Sequence, residues 1–196
     1  MSQSIERKKH MICVIGKTAS GKDTVVNKLN YLHNYKKLIS YTTRPMRQGE
    51  QQDVTYHFIS DEDFQQKINS DFFAEWKTYE TVEGTWYYGT ALEDLEKADD
   101  KTVIILTPDG YRDIMKKLST KPKAIYLYAN NSTIKERLIS RGDDPSEAQR
   151  RLEHDNADFK GIENEVDKIF YNNKGSDIDD VVNNILAWLE REDKNE

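Results

Sequence analysis

Short apolar runs alternate with amphipathic stretches at both ends of the chain. Residues 11–15 form an uninterrupted apolar run, and a strongly β-branched run covers 101–107. Between such runs apolar residues recur at helical spacing, which predicts a helix over 22–32 directly after the first strand. Because uninterrupted apolar runs are typical of strands buried on both faces, the alternation predicts a parallel sheet covered by helices.

The same patterns predict the other elements. Further strands are predicted over 38–41, 54–60, 72–81, 85–88, 124–129 and 168–171, and further helices over 91–98, 111–118, 132–141, 146–159 and 178–190. Ser60 and Ser146 are the predicted caps of two helices, Glu83-Gly84 a predicted turn, and Pro108-Asp109-Gly110 the predicted end of a strand. The strand-rich stretch 37–90 breaks the alternation, which indicates a small lobe inserted into an α/β core.

Composition narrows the class of protein. A chain of 196 residues fits one domain, and its net charge of -6 argues against a broad nucleic-acid or anionic-membrane surface. The single cysteine, Cys13, is interpreted as a small buried hydrophobe and indicates a reducing compartment. Residues 1–9 contain no apolar core segment of a secretory signal, and no apolar run is long enough to span a bilayer. We therefore expect a cytoplasmic protein; its oligomeric state, a homo-oligomer included, stays open.

A phosphate loop follows the first predicted strand. Residues 16–24 read G-K-T-A-S-G-K-D-T and have the G-x4-G-K frame, between a strand and a helix as this motif requires. Backbone N–H groups of such a loop converge on phosphate oxygens, and Lys22 would neutralise the terminal phosphates. Asp23 stands where the strict pattern has Ser or Thr, so Thr24 is the predicted Mg²⁺ ligand. The predicted ATP-binding residues here are Gly16, Lys17, Thr18, Ala19, Ser20, Gly21, Lys22, Asp23 and Thr24.

A second anion-binding cluster lies shortly downstream. Arg44 and Arg47 are spaced to hold one phosphate from two sides, and arginine donates paired hydrogen bonds to phosphate oxygens. Ser40, Thr42 and Thr43 add hydroxyl donors, and Tyr56 adds a phenolic donor. Either arginine alone would be interpreted as part of a solvated basic turn. Two phosphate sites so close together favour phosphoryl transfer between two phosphorylated ligands.

The chain resembles the guanylate kinases from about residue 12 to about residue 189. Three blocks carry the resemblance: Ser40, Thr42, Thr43, Arg44, Arg47, Gly49, Glu50, Tyr56, His57 and Phe58; then Phe73-Ala74-Glu75 with Tyr88-Gly89-Thr90; then Arg137-Leu138, Arg141, Arg151-Leu152, Asp167 and Asn172. The resemblance implies the P-loop nucleoside-monophosphate-kinase fold over 10–191. That fold would have a five-stranded parallel core (10–36, 91–136, 153–191), a monophosphate-binding lobe (37–90) and a helical lid (137–152).

The resemblance also implies an activity. It implies reversible ATP-dependent phosphorylation of GMP or dGMP to GDP or dGDP, with Mg²⁺ as cofactor and small nucleotides as partners. The residues implied as catalytic are Lys22, Arg44, Arg137, Arg141 and Arg151, with Arg137 and Arg141 also on the ATP side. The residues implied for GMP are Ser40, Arg44, Arg47, Tyr56, Glu75, Tyr88, Gly89, Thr90, Thr107 and Arg151.

Two other functions stay open at this point. Thr107 stands where this family usually has a guanine-reading aspartate, which leaves room for a kinase of another nucleoside or deoxynucleoside monophosphate. A non-catalytic binding module of the same fold would bind protein ligands at the acceptor site. Such modules tend to lose the phosphate loop, whereas Gly16, Gly21 and Lys22 are present here. Rates on a panel of monophosphates distinguish the first alternative from a guanylate kinase, and a measurement of ATP binding distinguishes the second.

Overall fold

The computed structural model of the protein describes residues 10–81 and 84–195. The strands are β1 (Ile12–Ile15), β2 (Lys36–Lys37), β3 (Tyr41–Thr42), β4 (His57–Phe58), β5 (Phe73–Thr81), β6 (Gly84–Ala91), β7 (Thr102–Leu106), β8 (Lys123–Tyr128) and β9 (Lys168–Tyr171). The helices are α1 (Lys22–His33), α2 (Asp61–Asn69), α3 (Leu92–Glu96), α4 (Pro108–Met115), α5 (Asn131–Ser140), α6 (Pro145–Asp158) and α7 (Ile178–Asn195). The expectation for residues 1–9, and Glu83 of the predicted turn, lie outside the described residues.

A five-stranded parallel sheet forms the centre of the molecule, in the order β2-β7-β1-β8-β9. Side chains alternate between its faces, so Ile12 and Val14 pack with helices α1 and α7 on one side. Cys13 and Ile15 pack on the other side, beneath α4 and the end of α6. The parallel five-stranded sheet and its helical layers confirm the fold class expected from the alternating pattern, and Cys13 is fully buried as predicted.

The middle of the chain forms a second sheet of four strands, in the order β4-β3-β6-β5. Strands β5 and β6 make a long antiparallel hairpin in which Glu75 pairs with Thr90. Helix α2 covers this sheet with Phe64, whose ring stacks on Phe73 at 4.4 Å. A Cβ on Gly89 would approach the Phe73 ring to 2.9 Å, so only glycine fits between these two elements.

Three local predictions differ from the structure. Residues 38–41 were expected as one strand, but 38–40 are irregular and connect β2 of the first sheet to β3 of the second. The predicted strand 54–60 reduces to β4, because 53–55 form a turn. The strand before Pro108 ends as predicted, but the helix expected over 111–118 begins earlier, at Pro108, since the Thr107 hydroxyl accepts from Gly110 N–H and caps the helix.

Helices α5 and α6 form a separate helical hairpin beside the phosphate loop. Their contact is a small apolar cluster that includes Ile134, Leu138 and Leu152. Asp144, rather than the expected Ser146, caps α6 by accepting from Ser146 N–H and Glu147 N–H. Within residues 10–81 and 84–195, no helix combines the length and the apolar character needed to cross a membrane.

Candidate active site

The loop between β1 and α1 is tightly packed at its two glycines. A Cβ on Gly16 would lie 2.8 Å from the Leu127 carbonyl oxygen, and Gly21 has a φ of 97°, a left-handed conformation that suits glycine. No side chain caps α1, so N–H groups at its first turn point out of the loop without a capping acceptor. This geometry presents backbone donors and a helix dipole to an anion.

Lys22 lies inside this loop, where its Nζ donates to the Lys17 carbonyl oxygen at 2.8 Å. Burial lowers the pKa of Lys22, although the carboxylates of Asp23 and Asp155 act in the opposite direction. Ser20 is fully buried, and its Oγ has no hydrogen-bond partner within the described part of the chain. The loop thus holds a half-buried cation beside a fully buried hydroxyl.

Two elements far away in sequence hold the loop in place. On one side, the Arg137 guanidinium donates to the Ala19 carbonyl at 3.1 Å, and the Asn172 amide donates to the Ser20 carbonyl at 2.8 Å. On the other side, Thr18 N–H donates to the Asp155 carboxylate at 2.6 Å. Burial raises the pKa of Asp155 overall, although this hydrogen bond and the charge of Lys22 act to lower it. Asp155 was missed at the sequence level because a carboxylate on an amphipathic helix is typical of a solvated face.

Arg44 is the most enclosed cation of the acceptor cluster, with 4% of its surface exposed. Its guanidinium donates to both carboxylate oxygens of Glu50, at 2.7 and 3.0 Å, and its Nε donates to the Tyr88 hydroxyl at 3.2 Å. Burial opposes the ionisation of Glu50, but hydrogen bonds from Arg44 and from Arg47 N–H lower the pKa of Glu50 overall. Arg44 is therefore fixed by the protein, which leaves few of its five N–H donors for a ligand.

The hydroxyls of Thr42 and Thr43 in this run form hydrogen bonds within the second sheet. Thr42 is fully buried and donates to the Tyr87 carbonyl at 2.9 Å, while the Thr43 hydroxyl accepts from Tyr87 N–H at 3.2 Å. Both bonds fasten β3 to β6. Ser40 and Arg47 line a cavity instead. The run that looked like one phosphate grip in sequence thus divides into residues that hold the sheet and residues that face open space.

Glu75 and Thr107 line the same cavity as Ser40 and Arg47, and both lie close to Gly110. Thr90 donates to the Glu75 carboxylate at 2.6 Å, and burial raises the pKa of Glu75 against that hydrogen bond. A Cβ on Gly110 would lie 3.2 Å from both the Glu75 carboxylate and the Thr107 hydroxyl. The missing side chain at Gly110 keeps a polar corner open between two hydrogen-bonding groups.

Two adjoining cavities connect these parts. The first, about 490 Å³, is lined among others by Lys22, Ser40, Arg47, Glu75, Thr107 and Arg151. The second, about 620 Å³, is lined among others by Asp23, Lys37, Arg44, Glu50 and Arg141. Arg47, Tyr56 and Tyr88 line both cavities, and Trp86 and Gly89 line the first. The phosphate loop, the arginine cluster and the Glu75 corner therefore surround two neighbouring cavities that share three lining residues.

Several residues expected at the site line neither cavity, Thr24, Thr90 and Arg137 among them. Thr24 is exposed and lines neither cavity, whereas its neighbour Asp23 is exposed and lines the second. Arg151 lines the first cavity, but its guanidinium pairs with Asp143 at 3.1 Å and Glu147 at 2.8 Å. Lys37 was also missed at the sequence level, because the pair Lys36-Lys37 is typical of a solvated surface.

Comparisons with known proteins agree on one family. The family model described as guanylate kinase matches residues 8–192. A guanylate kinase of Campylobacter jejuni is 31% identical over 172 residues, which cover 84% of this chain and 81% of that protein. A guanylate kinase of Fusobacterium nucleatum is 30% identical over 181 residues, which cover 90% of this chain and 94% of that protein.

A solved structure supports the same architecture. The crystal structure of guanylate kinase from Anaplasma phagocytophilum superimposes with a TM-score of 0.68, covering 94% of this chain and 87% of that chain. Sequence identity over the match is 23%, so this likeness speaks for the fold.

Proposed function

The chain belongs to the guanylate kinase family and is a nucleoside monophosphate kinase, and on that premise we propose that it transfers the γ-phosphoryl group of ATP to GMP or dGMP. One observation carries this proposal: Lys22 of the phosphate loop, Arg47 of the arginine cluster and the buried carboxylate of Glu75 line a single cavity. A donor phosphate, an acceptor phosphate and a base with N–H donors each have a matching group there.

On the donor side, the open N–H groups at the start of α1 and the Lys22 ammonium bind the β- and γ-phosphates. Arg137 already holds two loop carbonyls, so its contribution is to keep the loop in shape as well as to add positive potential. Arg141 lines the second cavity and lies close enough to Lys22 to act on its charge, so it would add positive potential near the phosphates. These cations offset the charge that spreads over the transferring group.

On the acceptor side, Arg47 is the proposed direct phosphate ligand. Among the residues that the structure describes, no side chain forms an ion pair with its guanidinium, in contrast to Arg44, which Glu50 holds. Ser40, Tyr56 and Tyr88 add hydroxyl donors around the same space. Arg44 then sets the position of Tyr88 and of the loop that carries Arg47.

Glu75 is the proposed base-reading residue. A carboxylate accepts from both the ring N–H and the amino group of guanine, an arrangement that adenine does not offer. Thr90 fixes one carboxylate oxygen, and Gly89 and Thr107 complete the wall. The Thr107 hydroxyl accepts from Gly110 N–H as a helix cap, so it contributes hydrogen bonding without the charge of an aspartate.

The reaction needs alignment and charge neutralisation rather than a covalent intermediate. An acceptor phosphate oxygen is already anionic, so a strong general base is not required. We propose residues 37–90 as the monophosphate-binding lobe, 137–152 as a lid that carries Arg137, Arg141 and Arg151, and 10–36, 91–136 and 153–191 as the core. Closure of the lid would exclude water and limit ATP hydrolysis. A cytoplasmic location stays a prediction from the single buried Cys13.

We propose Mg²⁺ as the cofactor, bound together with ATP. The described residues contain no group of three His, Cys, Asp or Glu side chains that could cage a metal. A nucleotide-bound Mg²⁺ needs only one or two protein oxygens, because phosphates and water supply its other ligands. The oxygens of Asp23 or Thr24 at the start of α1 are therefore sufficient for such a site. Asp23 offers a carboxylate in the second cavity next to Lys22, and a carboxylate beside a triphosphate repels it unless a cation lies between. Mg²⁺ supplies charge neutralisation of the donor phosphates.

Asp23 and Thr24 can be separated by substitution. We expect Asp23→Asn to raise the free Mg²⁺ needed for half-maximal ATP binding about tenfold, because it removes an anionic ligand. Calorimetric titration of ATP at several Mg²⁺ concentrations measures this. Thr24→Val serves as the matched control and should leave the requirement unchanged. The reverse result, a shift with Thr24→Val and none with Asp23→Asn, would return the metal to Thr24.

The proposed function is tested by steady-state rates on GMP, dGMP, AMP, CMP, UMP and dTMP with Mg²⁺ and ATP. We expect the highest kcat/KM for GMP or dGMP. A higher value for dTMP or CMP would show a kinase of another monophosphate, the reading that Thr107 favours. Absence of ATP binding by the intact protein would instead indicate a non-catalytic module.

A further inference from the structure

Lys37 lies at the edge of the core sheet, at the point where the chain passes towards the arginine cluster. It forms β2 together with Lys36, and the two residues pair with Thr102 and Val103 of β7. Because successive side chains of a strand point to opposite sides, Lys36 is exposed while Lys37 is half-buried and lines the second cavity. One lysine of the pair therefore faces solvent and the other faces the site.

The surroundings of Lys37 are charged and aromatic. Its Nζ lies 6.0 Å from the centroid of the Tyr56 ring, and the Arg44 guanidinium lies 5.6 Å from the same centroid. Two cations thus flank one ring, an arrangement in which each is attracted to the ring but repelled by the other. Burial lowers the pKa of Lys37, while the carboxylates of Asp23 and Glu50 oppose that effect.

Lys37 lacks the direct partners that its buried neighbour Arg44 has. Arg44 is bound by Glu50, Tyr88 and the Pro45 carbonyl. Across the described residues, the Lys37 ammonium makes no hydrogen bond or close ion pair, although it has three donors. A half-buried ammonium without such partners costs folding free energy, and an anionic ligand would recover that cost.

We propose that Lys37 is a further phosphate-binding residue, whose ammonium contacts the phosphate group of the nucleoside monophosphate on the side that faces the phosphate loop. This rests on the proposed function and deepens it. The position supports the role, because Lys37 shares one cavity with Asp23 at the start of α1 and with Arg44 and Arg47 of the acceptor cluster. Its charge would then act on the oxygen of the acceptor phosphate that attacks the γ-phosphate of ATP.

The test compares Lys37→Met with its neighbour Lys36→Met in the full chain. Methionine keeps the length of the side chain and removes the charge. We expect Lys37→Met to raise the KM for the monophosphate about ten- to a hundredfold, as for one hydrogen bond to a charged group. The KM for ATP should stay close to that of the wild type, and the melting temperature should be equal or higher because an unpartnered half-buried charge is removed. Lys37→Arg should restore much of the monophosphate affinity. Lys36→Met should match the wild type throughout.

Two outcomes would overturn the proposal. A KM for the monophosphate within twofold of the wild type in Lys37→Met would show that the ammonium does not contact the phosphate. Equal losses for ATP and monophosphate together with a lower melting temperature, not restored by Lys37→Arg, would show that Lys37 only balances Asp23 and Glu50. The measurements use whichever monophosphate is best in the substrate panel, so a failure of guanine preference is distinguishable from a failure at Lys37.

Discussion

Replacing Lys22 by methionine is expected to lower kcat by about three orders of magnitude. The side chain keeps its length but loses the ammonium that the loop holds against the Lys17 carbonyl. That charge acts on the transferring phosphoryl group, so the loss should fall mainly on kcat, with a smaller rise in the KM for ATP. Rapid-quench single-turnover measurements with saturating ATP and GMP separate the two effects.

The control for this variant lies on the same helix. Lys28 pairs with Asp179 at 2.5 Å and lines neither cavity, so Lys28→Met should leave kcat near the wild-type value. Because burial lowers the pKa of Lys22 in the nucleotide-free protein, the wild-type kcat/KM for ATP should also fall at a less alkaline pH than an ordinary lysine would give. A Lys22→Met enzyme that keeps more than a tenth of the wild-type kcat would contradict the role of this loop.

Replacing Glu75 by glutamine is expected to lower kcat/KM for GMP by about a hundred- to a thousandfold, through the loss of one charged hydrogen bond and the juxtaposition of two donors. The pH profile supplies a second readout. Since burial raises the pKa of Glu75, wild-type kcat/KM for GMP should fall on acidification at a higher pH than an ordinary glutamate would give, and the variant should lose this limb. Steady-state kinetics across pH measure both effects.

The stability of this variant has a definite sign. A carboxyl whose folded-state pKa is raised contributes stability below its unfolded pKa and loses that contribution as pH rises through the folded pKa. At neutral pH the buried Glu75 carboxylate therefore weakens the fold, and Glu75→Gln should melt at the same or a higher temperature than the wild type. Glu80→Gln is the matched control within the same cavity, because exposed Glu80 on the same strand also lines that cavity and also accepts from a threonine, Thr85. If Glu80→Gln impaired GMP use as strongly, the Glu75 corner would not be the reader of the base.

The phosphate loop and the parallel core could be predicted because their signals are local. The apolar run around Cys13 is buried on both faces of the sheet, and the glycines at 16 and 21 occupy positions where side chains do not fit. Thr107 and Pro108 also carry a helix-start signal, a cap followed by proline at the first helical position, yet the predicted helix began only at residue 111.

The rest depended on pairings between distant segments. Residues 38–41 are apolar enough for a strand, but the chain changes sheets there, and sheet membership is set by partners far away in sequence. Asp155 contacts Thr18 across 137 residues, and nothing around Asp155 in the sequence indicates that its carboxylate is buried. Likewise, Lys36 and Lys37 look alike in the sequence, and only the orientation of a two-residue strand separates them.

The three tryptophans lie in different environments, so they can serve as intrinsic fluorescent probes. Trp86 lines the first cavity, Trp188 is 6% exposed in the core against Phe170, and Trp76 is 41% exposed on β5. Indole emission follows the polarity around the ring, so the three side chains report different events. A ligand that enters the cavity dries the surroundings of Trp86 alone, unfolding wets Trp188, and Trp76 remains a steady background. Fluorescence can therefore follow occupancy and folding in one unlabelled sample.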